Sequence, residues 1–396
     1  MGVRLGRSGR WQEAVDALQK AVRLNPDSAE THYALANALQ ASGQIEQAIE
    51  SYWRAIDLNP NLVEALNDLG VALWVTQRPG GLDAVRRAVH LKPHYADAHN
   101  NFGVMLSSLG KSDAAVTAWR RAVQVRPEFT AAWTNLGAAL QDDAKLDEAI
   151  ACYRHAASLD PCSPARHNLL YALHFHPAYG PHEIAEEHRR WNDQCVKPLA
   201  SQAPPHPIDP NPIRRLRIGY LSPDFRGHPV GRFMLPLLAN HDHNAFEIFC
   251  YSDVVREGAM TAHLRQHADS WRSTVNMTDQ VLAQLVRQDR IDILVDLTMH
   301  MSGNRMLAFA RRPAPIQITY LAYCSTTGSE AIDYRLTDPY LDPPGIDQSM
   351  YSEKSIHLPT YWCYPAPTDA PRTGWMLLLP TRPRFRLSGS DSHSIT

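Results

Sequence analysis

Apolar residues in the first 161 positions follow a long period laid over the short period of an amphipathic helix. Prolines at 26, 60, 93, 127 and 161 each close a unit of about 34 residues. Within the units, small and large residues fall at fixed places. Ala48, Ala115 and Ala149 lie early in a second helix, Tyr52, Trp119 and Tyr153 follow four residues on, and Ala55, Ala122 and Ala156 three later. The first helices carry Leu35, Leu69, Phe102 and Leu136, followed by Gly70, Gly103 and Gly137, where backbones must approach closely. A small residue facing a large one on the neighbouring helix is what a stack of helix pairs requires.

These positions agree across several units, and residues 1–161 resemble the tetratricopeptide family. Two units depart from the pattern. The first starts inside its first helix, with Leu5, Gly9, Ala14, Leu18 and Ala21 in phase. The third is one residue short and reads QRPGGLD, so Pro79, Gly80 and Gly81 are expected to shorten its second helix. Asn101 and Asn135 hold the same place in successive units, with Asp68 in the corresponding place before them. An asparagine ladder can give one hydrogen bond to a peptide N–H and another to its C=O. The two asparagines are candidate acceptor-peptide ligands, and the competing reading is that they brace a neighbouring helix.

The period is lost over residues 162–213, read as a helical linker with helices at 167–175 and 181–199 and a proline-rich end. Its histidines 167, 174, 176, 182 and 188 fit no metal-ligand spacing and are expected to be packed or solvated. Strand-like and helix-like segments then alternate. Strands are expected at 217–222, 246–252, 291–298 and 316–322, and helices at 231–239, 260–269, 277–288 and 304–311. That order predicts a parallel sheet wrapped by helices, with ligands outside the carboxyl ends of the strands. Three polar loops fall there. Asp224, Arg226, His228 and Arg232 follow the first strand, and His300, Ser302, Asn304 and Arg305 follow the third. Tyr323, Cys324, Ser325, Thr326, Thr327 and Gly328 follow the fourth.

Composition adds boundaries. A chain that is 44% hydrophobic and 20% charged is globular, and a formal charge of -2 argues against a general nucleic-acid binder. No apolar run is long enough to span a bilayer, so a cytoplasmic protein without a membrane partner is expected. The cysteines at 152, 162, 195, 250, 324 and 363 lack CxxC spacing, and free thiols are expected rather than a disulfide or zinc site.

The segments RIGYLSPDFRGHPVGRF, ILVDLTMHMSGNRMLAFARRPAPIQITYLAY, STTG, IDYRLTDPYLDPP and YSEKSIHLP resemble the catalytic region of the protein O-linked N-acetylglucosamine transferases, including plant relatives that transfer fucose. The resemblance spans about residues 162–370 behind a tetratricopeptide array, as in that family. It implies an α-solenoid followed by an α/β Rossmann-like domain at 214–370, the first half of a GT-B-type glycosyltransferase. It further implies sugar transfer from UDP-GlcNAc to Ser or Thr of a protein acceptor, with no metal and no other cofactor. By position, His228 corresponds to the histidine beside the reacting groups. It could accept the hydroxyl proton, position the groups while the donor phosphate takes the proton, or pack on Pro229. Asp289 matches an acidic position implicated in the family, although an Asp before a strand is commonly a helix terminus. His300, Asn304, Arg305, Thr326 and Thr327 fall in the substrate-facing loops of the resemblance. Met299 and Met301 stand where many relatives carry Gly and Thr, and Cys324-Ser325 where Pro-Gly is usual.

The resemblance ends near Ala370, and residues 371–396 form an atypical tail. In the family a second Rossmann half holds most of the uridine and a lysine at the diphosphate. The expectation is therefore a transferase truncated before its donor-binding half, with the nucleotide sugar bound only if that half is supplied. The alternatives are a non-catalytic peptide-binding scaffold or a protein O-fucosyltransferase-like relative.

Overall fold

The computed structural model describes residues 10–206, 211, 213–323 and 325–361. The solenoid is built from helices Trp11–Leu24, Ala29–Ala41, Ile45–Leu58, Val63–Val75, Gly81–Leu91, Ala96–Ser108, Ser112–Val125, Thr130–Asp142 and Leu146–Leu159. Its core is the repeated set of small and large positions, with Ala48, Ala55, Ala115, Ala122, Ala149 and Ala156 fully buried beside Tyr52, Trp119 and Tyr153. The repeated glycines make room in two ways. A Cβ on Gly137 would lie 2.6 Å from the Tyr153 ring, and one on Gly103 would lie 2.6 Å from the Trp119 indole. At Gly70 it would meet Val85 and the Gly81 carbonyl, so only there do two helix backbones close on each other. Gly80 takes φ +91° and opens a helix of 11 residues, against 14 in Ile45–Leu58, as the Pro-Gly-Gly sequence requires. The start of the first unit, Leu5 and Gly9 included, lies outside the described residues.

The sheet has seven parallel strands, β1 Leu216–Ser222, β2 Phe246–Ser252, β3 Ser270–Ser273, β4 Ile293–Asp296, β5 Ile316–Thr319, β6 Tyr334–Thr337 and β7 Lys354–His357, in the order β3-β2-β1-β4-β5-β6-β7. The strands predicted at 291–298 and 316–322 are shorter because Asp296 and Thr319 end the ladders in side-chain hydrogen bonds and loops take over. β3, β6 and β7 have four residues each, too few to show a period of two in the sequence. The order in which successive strands are added reverses between β1 and β4, and the crevice outside their carboxyl ends is where such a sheet receives ligands.

One face of the sheet packs on helices Pro229–Ala239 and Ala259–Arg265 through Val230, Phe233, Met234, Leu238 and Leu264. The other packs on helix Asp279–Gln288 and the turn Met306–Phe309, and also on Leu170, Trp191, Cys195 and Val196. The segment after the solenoid is therefore part of this domain's core. Helices Pro164–Leu173 and Pro181–Trp191 each begin with proline at the position that needs no N–H. Between the second of them and Lys197–Ala200, residues Asn192–Val196 form a π-helical turn. There Asn192 Oδ1 accepts the Glu330 N–H at 3.0 Å, and Cys195 is bonded to Cys162. The free-thiol expectation is thus wrong for this pair. Its 33-residue separation hides a proximity that two helices create. Cys152 and Cys250 are free and buried, whereas Cys324 and Cys363 lie outside the described residues.

The junction of solenoid, sheet and loops is filled by rings. His167 stacks on His300 at 5.0 Å, Trp191 meets His300 edge-on at 4.7 Å, and His188, His174 and Tyr323 close around them. Burial lowers the histidines: His167 falls to about 4, His188 and His300 fall well below the ordinary value, and His174 moves the same way. Burial holds each neutral where the unfolded chain takes up a proton, so its stabilising contribution is complete above pH about 6.5 and is lost as pH falls toward that group's lowered value. Asp296, raised to about 6, and Asp68, raised by burial, act in the opposite sense. With four histidines against two carboxyls, urea unfolding should show a net loss of at least about 1.4 kcal/mol per pH unit below pH 6. An unchanged urea midpoint between pH 7 and 5 would contradict this account of the junction.

Candidate functional site

The loops after β1, β4 and β5 meet at the switch point. A Cβ on Gly303 would sit 3.2 Å from Pro223, and Thr319 donates to Asp296 Oδ2 at 2.9 Å. His300 Nε2 and the Thr327 carbonyl are 2.7 Å apart.

The loop after β1 is folded tightly on itself. Ser222 Oγ accepts the Asp224 N–H at 3.0 Å, Arg226 N–H donates to the Asp224 carbonyl at 2.7 Å, and His228 N–H to the Arg226 carbonyl at 2.6 Å. Helix Pro229–Ala239 starts directly after, with His228 as its N-cap: Nδ1 accepts the Val230 N–H at 3.3 Å. Gly231 lets the first turn lie on this loop, since a Cβ there would be 2.3 Å from the Arg226 carbonyl oxygen. Asp224 is buried, its Oδ1 taking Nε and Nη2 of Arg226 at 3.2 and 3.0 Å. Arg226 and Arg232 are exposed and His228 is half-buried. This corner thus combines an accessible imidazole, two accessible guanidinium groups and the positive end of a helix.

The other sequence-predicted residues separate from it. Asp289 caps the carboxyl end of helix Asp279–Gln288 at the opposite edge of the sheet, its carbonyl accepting from Arg217 at the start of β1. Its carboxylate takes the Tyr251 hydroxyl at 2.8 Å and Arg272 at 2.9 Å. The helix-terminus reading is the one this geometry supports, and Asp289 is not brought to His228. His300 is 1% exposed and bonded on both nitrogens, to His167 at 2.7 Å and to Thr327, so it faces no substrate. Arg305 forms a two-point pair with Asp253 at 2.6 and 2.9 Å and also reaches Asp279, Met277 and Thr274. Asn304 caps the turn that follows, donating to the Met301 carbonyl at 2.9 Å and accepting the Met306 N–H at 3.3 Å. Thr326 and Thr327 are buried on Glu353, which accepts the Thr326 hydroxyl at 2.8 Å, the Thr327 N–H at 2.6 Å and the Thr327 hydroxyl. These five residues form the frame of the rim. Polar type and loop position in the sequence could not distinguish a frame residue from a presented one.

Sequence reading passed over Asp296 and Glu353. Asp296 is buried at the end of β4 and holds the Thr298 and Met299 N–H groups at 3.1 and 2.9 Å. The signal was a carboxylate ending the apolar run ILVD. Met299, buried at φ +49°, takes the left-handed backbone that glycine adopts freely.

In the solenoid the asparagines form connected rungs. Tyr33 Oη donates to Asp68 at 2.8 Å, Asn67 donates to Asp68 at 2.9 Å, and Asn101 donates to Asn67 at 3.0 Å. Asn135 donates in the same way to Asn100 at 3.0 Å. Asn101 and Asn135 are half-buried, and each of these two bonds uses one amide hydrogen. Among the described residues no group of three or more His, Cys, Asp or Glu side chains is placed to hold a metal ion.

Comparison with known proteins joins the two parts. Residues 155–364 match the profile of glycosyl transferase family 41, and residues 7–43, 36–76 and 106–164 match tetratricopeptide repeat profiles. The chain is 36% identical over 216 residues to a probable UDP-N-acetylglucosamine–peptide N-acetylglucosaminyltransferase SPINDLY of Oryza sativa, covering 52% of this chain and 23% of that protein. It is 35% identical over 153 residues to the SEC protein of Arabidopsis thaliana, covering 38% of this chain and 15% of that one. The chain thus spans less than a quarter of the curated relatives it matches. A solved Thermobaculum terrenum O-GlcNAc transferase mutant superposes with TM-score 0.63 at 35% identity, covering 86% of this chain and 59% of that one.

Because the His228 corner depends on the helix lying directly on the loop, Gly231→Ala should cost about 1–3 kcal/mol. Denaturant unfolding measures it. A loss below about 0.5 kcal/mol would mean that the loop accommodates a side chain there.

Proposed function

The chain belongs to glycosyl transferase family 41, and on that premise we propose that it serves the transfer of N-acetylglucosamine from UDP-GlcNAc to Ser or Thr hydroxyls of a protein held along the solenoid. We place that reaction in the cytoplasm. Supporting this reading is the corner at the switch point, where His228 stands with Arg226 and Arg232 at the start of helix Pro229–Ala239. In the transfer, the acceptor O–H bond breaks as its oxygen bonds to the anomeric carbon, and the sugar–phosphate bond breaks with its electron pair leaving on the diphosphate. An imidazole can receive or orient the departing proton near neutral pH. Exposed guanidinium groups and a helix N-terminus favour the negative charge that develops on the leaving group.

The asparagine rungs support the acceptor side, because half-buried amides at the solenoid period can meet an extended backbone at regular intervals. A second reading, a peptide-binding scaffold without turnover, is favoured by one observation. Arg305, His300, Thr326 and Thr327 are bound to the protein itself rather than presented to a ligand.

Mass-spectrometric detection of sugar on a Ser-containing peptide, with UDP-GlcNAc or a fucose donor, decides between the readings. Transfer that falls about 100-fold or more in His228→Ala supports the first, while transfer undiminished in that variant removes His228 from the reaction. Peptide binding without transfer from either donor leaves the scaffold. Independently, Asn101→Ala with Asn135→Ala should weaken peptide affinity about tenfold in fluorescence anisotropy. Unchanged affinity would return the ladder to a bracing role.

A further inference from the structure

His228 has two suitors for one nitrogen. Its Nδ1 accepts the Val230 N–H at 3.3 Å, and the same Nδ1 lies 3.6 Å from Asp224 Oδ2. These contacts require opposite protonation states. A backbone N–H can only donate, so the neutral ring that caps the helix carries its proton on Nε2. A carboxylate can only accept, so the ring that turns to Asp224 carries its proton on Nδ1. A closure of about 0.8 Å brings that second contact within hydrogen-bond range.

The choice decides what the rim can do. The capping ring offers an N–H donor at Nε2, suited to a hydroxyl or phosphate oxygen. The ring paired with Asp224 offers a lone pair at Nε2, suited to taking a proton. Neither contact involves the solenoid or the sheet interior, so the selection is made within the loop.

We propose that Asp224 is the positioning residue that converts His228 from hydrogen-bond donor to proton acceptor. This rests on the transferase reading for its purpose but not for its geometry. Asp224 suits the task because it is held in place: its N–H is fixed on Ser222 Oγ, and its side chain is 9% exposed. Arg226 opposes the conversion by engaging Oδ1 with Nε and Nη2. Its side chain is 56% exposed, which makes it the partner that can be drawn away. An anionic group arriving at Arg226 would release the Asp224 carboxylate toward His228, so that the base-competent ring forms when a ligand is present.

The test is the tautomer ratio of neutral His228 in the whole chain, read from side-chain 15N couplings and assigned with His228→Gln. Asp224→Asn should lower the Nδ1–H share, and Arg226→Gln should raise it, each by about threefold or more, the lower range of one hydrogen bond. Asp224→Glu should retain more of the Nδ1–H form than Asp224→Asn. Circular dichroism confirms that each variant is folded, and the exposed Arg226 keeps the test available if Asp224→Asn is not. A ratio unmoved by Arg226→Gln, or moved by it toward the Nε2–H form, would overturn the proposal. The measurement needs neither donor nor acceptor, so it stands apart from the transferase reading, whose failure would show as absent sugar transfer whatever the tautomer.

Discussion

The arrangement depends on a buried relay of neutral groups, His167 to His300 to the Thr327 carbonyl, with each step at 2.7 Å. The carbonyl accepts, so His300 carries its proton on Nε2, and His167 must donate from Nδ1. The relay ties together the first helix after the solenoid, the loop after β4 and the loop before β6. Gly328 makes the closure possible, because a Cβ there would fall 2.4 Å from that of His188. Burial keeps the rings uncharged, and an uncharged relay can be enclosed by Trp191 and Tyr323 without the cost of a desolvated cation.

That constraint divides the polar residues of the rim into two populations. One is turned inward and saturated: Arg305 on Asp253, Thr326 and Thr327 on Glu353, and Thr319 on Asp296. The other is confined to the short loop after β1, where consecutive tight turns leave Arg226 and Arg232 exposed and His228 half-buried. The first population fixes the loop positions, so the second can be presented from a frame with little freedom. A site needs both, since a presented imidazole is useful only if its position is held.

The sequence was most readable where a period or an alternation repeats. The 34-residue spacing, the small-to-large helix contacts and the central strands are all set by which residues must be buried, and burial leaves a pattern. The shortened helix after Gly80 was readable for a local reason, the backbone freedom of glycine. The site was less readable. His228 could be placed on the rim because it follows a strand end. His300 sits at an equivalent place after β4 yet is buried, because a helix from before the sheet covers it. Asp289 and His228 lie on opposite edges, and a motif match carries no edge. The Cys162–Cys195 bond was likewise invisible, since only the two linker helices bring its ends together.

Those helices also explain why solenoid and sheet are packed as one body. Leu170, Trp191, Cys195 and Val196 lie in the same apolar cluster as Leu221, Phe249 and Leu294 of the central strands. Leu169 and Leu173, on the same helix as Leu170, belong instead to the cluster that includes Leu136, Ile150 and Tyr153 of the last repeat. A single helix therefore contributes to both cores, and rotating the solenoid against the sheet would expose apolar surface on two sides at once. Interfaces of this kind resist hinge motion more strongly than polar domain contacts do. The Asn101 and Asn135 face of the solenoid and the β1–β4 rim are therefore held in one relation by shared apolar packing rather than by a flexible tether.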